Sequence, residues 1–174
     1  DETKRRAAIF DAISQADKDL RKEGRKAHFL GVVDAGGAVV ARDLDINNMY
    51  GEKLPFRCVR EALEGRSARD IISMKNKMMR AAAAPLKVGE AVKGALMIAY
   101  EVTAADAREE REQFGTHVAY FMDDAVRAAS FSVNNDGATE DSRLIEAASK
   151  SLFGGPTAFG KAAIAKDTTS AITL

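Results

Sequence analysis

Apolar and polar positions follow two different periods along this chain. Over residues 1–26, apolar side chains recur every three or four positions, which predicts one amphipathic helix that stops near Gly24. Its predicted apolar face comprises Ala8, Ile9, Ala12, Ile13, Ala16 and Leu20. Its predicted polar face comprises Lys4, Arg5, Arg6, Asp11, Asp17, Lys18, Arg21 and Lys22. A stripe this narrow suits either packing on the back of a sheet or pairing with a second copy through Ile9, Ile13 and Leu20.

From residue 27 to residue 103 the period changes to that of strands and turns. Residues 29–33 and 38–41 predict an antiparallel hairpin, VVDAGGAVVARD, joined by an Asp-Ala-Gly-Gly turn. A polar, turn-rich segment, RDLDINNMYGEKLP, follows it, and residues 59–63 then predict a short helix that ends at Gly65. This order of elements indicates an α+β domain.

The segment RDIISMKNKMMRAAAAPL predicts two strands that turn near Asn76. Its alanine run favours a helix over residues 78–84 as the alternative, and Pro85 is expected to end the element in either case. Residues 92–102, VKGALMIAYEV, are apolar almost throughout and predict a buried strand.

After residue 103 the pattern partly restarts. Thr103 is a predicted N-cap for a helix over residues 104–114, with Asp106 in its first turn. A second hairpin, THVAYFMDDAVRAASFS, precedes the polar loop VNNDGATED and a helix over residues 142–152. The chain therefore divides into a helix (1–26), a sensor-like module (27–103) and a second, smaller α/β segment (104–174). That segment is either incomplete or shares the first sheet.

Composition excludes several classes of function. Lys+Arg and Asp+Glu both number 26, so the chain has no net charge with which to gather a phosphate backbone, and nucleic acid is excluded as a partner. The single cysteine, Cys58, excludes a disulfide and Cys-rich zinc sites, and is expected to be a small buried residue on a helix. No apolar run approaches the roughly 20 residues that span a bilayer. The chain starts at Asp1, so we expect any membrane helices to flank it.

The residues offer little catalytic chemistry. No Gly-x-Ser-x-Gly elbow and no phosphate loop is present, and we expect neither enzymatic activity nor a cofactor. His28 and His117 both precede predicted strands, and two histidines without a further ligand cluster do not predict a metal site. Asp43 and Asp45 lie on one face of an extended stretch, where a solvated or salt-bridged pair of carboxylates is favoured over calcium binding because no further oxygen-ligand pattern follows.

A binding pocket is better supported than catalysis. In MKNKMMRAAAAP, the thioethers of Met74, Met78 and Met79 and the small alanines surround one guanidinium, that of Arg80. On a strand, Met78 and Arg80 share a face. A buried guanidinium needs an anion, so an inward Arg80 is expected to pair with a carboxylate, either that of Asp43 or that of a ligand. The alternative is an arginine that faces outward. Tyr100, on the opposite strand face from Met97, is a further candidate for the pocket.

The stretches FLGVVDAGGAVVARD, MYGEKLP, VREALEG, MMRAAAAPL and VKGALMIAYEVT together resemble the PAS-like sensor domains, and with the long leading helix they resemble the extracytoplasmic, Cache-like version. The resemblance covers about residues 1–103. It implies a PAS-like antiparallel sheet, and it implies that Met49 and Tyr50, in the loop before Gly51, close the ligand pocket. The amino-acid-binding Cache motif requires a tryptophan, which this chain lacks.

The resemblance implies the periplasmic or extracellular ligand-sensing domain of a bacterial receptor, either a chemoreceptor or a histidine kinase. We expect a short carboxylate as the ligand and a homodimer formed through the N-terminal helix. The alternative is a cytosolic PAS- or GAF-like module that binds another protein and no small molecule.

Overall fold

The computed structural model describes residues 1–122 and 125–130. Asp1–Glu101 form one compact unit, and a second unit begins at Val102. The first unit contains α1 (Glu2–Lys22), β1 (Phe29–Asp34), β2 (Val39–Arg42), α2 (Arg57–Leu63), β3 (Ala68–Met74), β4 (Lys77–Val88) and β5 (Ala91–Glu101). The elements and their order confirm the α+β class expected from the sequence.

The first unit is built on a five-stranded antiparallel sheet with the order β2-β1-β5-β4-β3. Both predicted hairpins of this sheet are present. The alternative prediction, a helix over residues 78–84, is wrong. The β3–β4 turn places Lys75 and Asn76 at φ 51° and 60°, the left-handed conformation that two-residue hairpin turns require. Cross-strand pairing therefore overrides the helical preference of the alanine run.

The prediction that Pro85 ends its element is wrong, because β4 continues to Val88. The pairing of β3 with β4 stops at Ala68 and Ala83, whereas β4 stays paired with β5 as far as Val88. Pro85 therefore lies where β4, within the described part of the chain, has no strand paired with it on the β3 side. A proline, which has no N–H to donate, is tolerated in a strand at such an edge.

The two faces of the sheet carry separate cores. On one face, α2 covers a cluster that includes Phe29, Val33, Val39, Cys58 and Met97, all at most 1% exposed. On the other face, α1 lies over β1 and β2, where Ile13 packs with Ala27, Leu30 and Ala41. We call these the α2 face and the α1 face. Cys58 is the small buried residue that the sequence predicts.

The prediction for the faces of α1 is partly wrong. Ile9, Ile13 and Leu20 pack against the sheet as one interpretation expected, but Ala8, Ala12 and Ala16 are exposed. The positions that complete the sheet-facing side are Arg6, Phe10 and Asp17. The helix is rotated so that its larger side chains reach the sheet. Burying these side chains removes more apolar area from water than burying alanine methyl groups would, and so stabilises the fold more.

In the second unit, α3 (Ala104–Phe114) has the predicted Thr103 cap, completed by a reciprocal bond between Asp106 and the Thr103 backbone. The predicted second hairpin is present as β6 (Ala119–Met122) and β7 (Ala125–Ala129). The predicted loop VNNDGATED and the helix over residues 142–152 lie outside the described residues.

Candidate ligand-binding site

Three of the predicted site residues lie on the α1 face of the sheet. Arg80 on β4 is the direct cross-strand partner of Tyr100 on β5, so the two half-buried side chains project from the same face. Met78 follows the same alternation along β4 and is 8% exposed. The structure thus brings Arg80, Tyr100 and Met78 together, and Met97 lies on the α2 face, opposite Tyr100, as predicted.

An open groove of about 530 Å³ lies beside this group, over β3, β4 and β5. Its lining residues are Ser67, Ala68, Arg69, Ala82, Ala83, Ala84, Leu96 and Ile98. The groove exists because α1 covers only the β1–β2 side of this face, and because the alanines of β4 leave space above the strand. Its volume lies within the range of about 300–1,000 Å³ that is typical of small-molecule sites.

One guanidinium group lines this groove and a second lies beside it. Arg69 on β3 lines it and is the cross-strand partner of Ala82, while Arg80 is the next α1-face residue of β4. The exposed side chain of Arg69 makes no ion pair with the described residues. An apolar floor with guanidinium groups at its side suits an organic anion.

The other two predicted site residues lie elsewhere, in the loop between β2 and α2 (residues 43–56, here the β2–α2 loop). Met49 packs against the α2-face cluster. Tyr50 is 45% exposed, stacks against Arg6 of α1 and donates a hydrogen bond to Glu2. Since β1 and β5 separate β2 from β4, the structure does not bring Met49 and Tyr50 to Arg80.

The deeply buried guanidinium of the first unit is that of Arg42, which sequence reasoning missed. Its side chain is 3% exposed and that of Asp43 is 1% exposed. Arg42 donates to Asp43 Oδ1 at 3.2 Å, to Asn48 Oδ1 at 3.2 Å and to the carbonyl of His28 at 3.1 Å. The expectation that Asp43 neutralises Arg80 is therefore wrong: Asp43 pairs with Arg42 and also accepts from the Leu30 amide.

A β-bulge explains why the sequence pattern missed Arg42. Val33 pairs with Val39 but Val32 pairs with Ala41, so Val40 is an extra residue in β2. A regular strand would place Val39 and Ala41 on one face and Arg42 on the other. The bulge instead sends Ala41 to the α1 face and Arg42 to the α2 face, over Phe29.

The histidines form ordinary polar contacts. His28 Nε2 lies 2.7 Å from Glu101 Oε2, and Lys77 Nζ lies 2.6 Å from the same oxygen. His117 Nδ1 lies 3.5 Å from Ser130 Oγ. Within residues 1–122 and 125–130, no group of three or more His, Cys, Asp or Glu side chains could hold a metal ion. In the same residues, no helix is long and apolar enough to cross a membrane.

Comparison with known proteins gives matches in structure and none in sequence. No family model matches the chain, and no curated protein matches it. The sensor domain of the Vibrio cholerae histidine kinase DctB matches with a TM-score of 0.54 and 12% identity, over 74% of this chain and 50% of that one. The Escherichia coli DcuS sensor domain matches with a TM-score of 0.42 and 17% identity, over 51% of this chain and 65% of that one. VqmA bound to DPO matches with a TM-score of 0.38 and 13% identity, over 91% of this chain and 90% of that one.

The DctB match establishes the fold. An antiparallel five-stranded sheet with a long N-terminal helix is the PAS-like, Cache-like fold that the sequence predicts. The chain spans about two thirds of the DcuS sensor domain and half of the DctB sensor domain.

Proposed function

We propose that this chain is the ligand-sensing domain of a bacterial transmembrane signalling receptor, and that it binds a small organic anion without transforming it. The DctB neighbour is the sensor domain of a histidine kinase, and we propose the same sensing role for this chain. A kinase or chemoreceptor of this kind would hold the domain on the periplasmic or extracellular side of the membrane, through helices that flank the chain.

The observation that carries the proposal is the groove beside Arg80, with its alanine floor and its two neighbouring guanidinium groups. In this proposal Arg80 and Arg69 bind the carboxylate, and Tyr100 and Met78 pack beside Arg80. Ala82 and Ala84 leave room for the body of the ligand. Met49 and Tyr50 make no ligand contact in this proposal, because they lie beside β2, which β1 and β5 separate from β4.

Ile98 links the groove to the N-terminal helix. It lines the groove, and it also packs against the α1-face cluster that contains Ile13 of α1. A ligand that contacts Ile98 therefore touches β5 at a residue that packs against the cluster under α1, and β1, the neighbour of β5, lies beneath α1 together with β2. Binding would favour one of two packings of α1 on the sheet, which is a shift of population between pre-existing arrangements.

The test is thermal unfolding of the protein with short carboxylates, amino acids, purines and sugars. A ligand of the native state stabilises it by about 2.7 kcal/mol at a hundredfold excess over its Kd. We expect a carboxylate to raise the unfolding midpoint, Arg80→Ala and Arg69→Ala to reduce that rise, and Arg60→Ala on α2 to leave it unchanged. A rise that survives in Arg80→Ala would contradict the proposed anchor.

Three exposed apolar side chains on the same face favour the alternative function, a module that binds another protein. Ile71, Leu86 and Leu96 are 57%, 38% and 36% exposed, and alternation places all three on the α1 face. If no small molecule changes the unfolding midpoint, this face becomes the surface to test.

A homodimer through α1 remains part of the proposal in a modified form. Because Ile9, Ile13 and Leu20 pack on the sheet of their own chain, a second copy would have to contact the exposed side of the helix. Sedimentation of the protein at several concentrations tests it, and a monomer throughout would contradict it.

A further inference from the structure

One guanidinium of α1 holds the β2–α2 loop. Arg6 Nη2 donates to the carbonyl of Ile46 at 2.8 Å and to Asn47 Oδ1 at 3.2 Å, and Arg6 Nε donates to the carbonyl of Val40 at 3.3 Å. The same guanidinium lies 3.5 Å from the centre of the Tyr50 ring. Hydrogen bonds and ring stacking thus join a single helix residue to β2 and to three positions of the loop.

A second contact joins the same two elements. The Tyr50 hydroxyl donates to Glu2 Oε1 at 3.1 Å, one helical turn before Arg6. Tyr50 is therefore held between Glu2 and Arg6, and its ring position depends on where the first two turns of α1 lie.

The opposite side of the loop is fixed by the sheet. Arg42 donates to Asn48 and to the sulfur of Met49, at 3.2 Å and 3.4 Å. Met49 has φ 62°, in the left-handed region that a methionine rarely adopts, and such a conformation persists only where surrounding contacts impose it. Contacts to α1 and contacts to the sheet thus hold adjacent residues of one loop.

We infer that Arg6 couples the position of α1 to the conformation of the β2–α2 loop. If α1 rotates or slides on the sheet, Arg6 loses its acceptors and Tyr50 loses its place, and the loop is then free to rearrange around Arg42. By reciprocity, a loop that rearranges releases the first turns of α1. The coupling rests on contacts between α1 and the β2–α2 loop and not on the ligand groove, so it can be tested independently of the proposed function.

Amide hydrogen exchange measures this coupling directly. The amides of Asn48, Tyr50, Gly51 and Glu52 are hydrogen-bonded to backbone carbonyls, so their protection reports the loop. We expect Arg6→Ala to speed their exchange by about tenfold or more, since about 1.4 kcal/mol corresponds to a factor of ten. Arg5→Ala is the matched control: it removes the same group from an exposed neighbour with no ion pair among the described residues, and should leave the loop unchanged.

Two further variants keep the test decisive. Arg6→Lys retains the positive charge and most of the stem but cannot reach three acceptors, so it should also speed loop exchange even if Arg6→Ala folds poorly. Tyr50→Ala should speed exchange of the amides at residues 6–9 of α1 and leave the β4–β5 pairing protected. Unchanged loop exchange in folded Arg6→Lys, or unchanged helix exchange in Tyr50→Ala, would overturn the coupling.

Discussion

The guanidinium carbon of Arg42 lies 4.8 Å from the centre of the Phe29 ring, over the α2 face of the sheet. Gly31 makes this arrangement possible, because a Cβ at that position would lie 2.8 Å from Phe29 Cζ. The ring occupies the space above Gly31, and Arg42, the cross-strand partner of Gly31, stacks on it. A missing side chain in β1 thus creates the site for the buried charge of β2.

Gly31→Ala should destabilise the protein by about 1–3 kcal/mol, the usual cost of overpacking a core. Gly94→Ala should cost more, because its Cβ would overlap the backbone oxygen of Val33, whereas the Phe29 ring is a side chain that can move. Urea unfolding of the two variants measures both values. Equal and small losses would show that β1 and β5 adjust more easily than the structure indicates.

Arg42→Met should destabilise the protein by about 3–5 kcal/mol, because it leaves the carboxylate of Asp43 buried without its cation. In Arg42→Met/Asp43→Asn the buried charge is gone, and the amide oxygen of the new Asn can still accept from Leu30. The double variant should therefore unfold at a higher urea concentration than the single variant. A double variant as unstable as the sum of its parts would mean that the two residues act separately.

The sequence predicts the strands more reliably than the faces of their residues. Alternation locates every strand of the first sheet within a few residues, but alternation alone cannot reveal the extra residue Val40, which reverses the parity of β2. For this reason the pattern does not reveal Arg42 as a buried guanidinium. The adjacent opposite charges of Arg42 and Asp43, at the end of an apolar strand, are the available signal.

Asp17 offers a test of the rotated helix. It is 8% exposed on the sheet-facing side of α1, where Oδ2 pairs with Arg21 at 2.6 Å and Oδ1 has no hydrogen-bond partner among the residues that the structure describes. Asp17→Leu should stabilise the protein by about 1 kcal/mol, since an unsatisfied buried polar atom costs about 1–3 kcal/mol. The control is Asp11→Leu, an exposed position on the same helix, which should change stability by less than about 0.5 kcal/mol. A loss of stability in Asp17→Leu would contradict the placement of Asp17 against the sheet.

The rotation of α1 also shows why the candidate ligand site is only partly predictable from the sequence. Helical periodicity gives candidate faces, but the face that packs depends on which large side chains meet the sheet. In the same way, the sequence places Arg80 and Tyr100 on strands, and only the pairing register makes them neighbours. The contacts of Tyr50 with Glu2 and Arg6 span more than 40 residues, which no local pattern can indicate.

Cys58 gives a pH dependence of stability. Burial raises the pKa of its thiol above the ordinary value of 9.0, and the nearby Asp70 carboxylate raises it further. In the unfolded chain the thiol ionises first, so the unfolded state loses the proton that the folded state keeps. The contribution of the protonated thiol to the free energy of unfolding is present below pH 9.0 and falls as pH rises above that value. The stability advantage of the wild type over Cys58→Ala should therefore shrink above that pH in urea titrations. A constant difference would contradict the raised pKa.

The proposed ligand groove can be located directly by ¹⁵N–¹H correlation spectra recorded during titration with the carboxylate that raises the unfolding midpoint most. We expect the shifts to concentrate at Arg69, Ala82, Ala84, Leu96 and Ile98, with Arg80 and Tyr100 next to them. Shifts confined to α2 and the β2–α2 loop would place the ligand on the opposite face of the sheet and contradict the groove. Spectra unchanged at a saturating carboxylate concentration would contradict the ligand-sensing function itself.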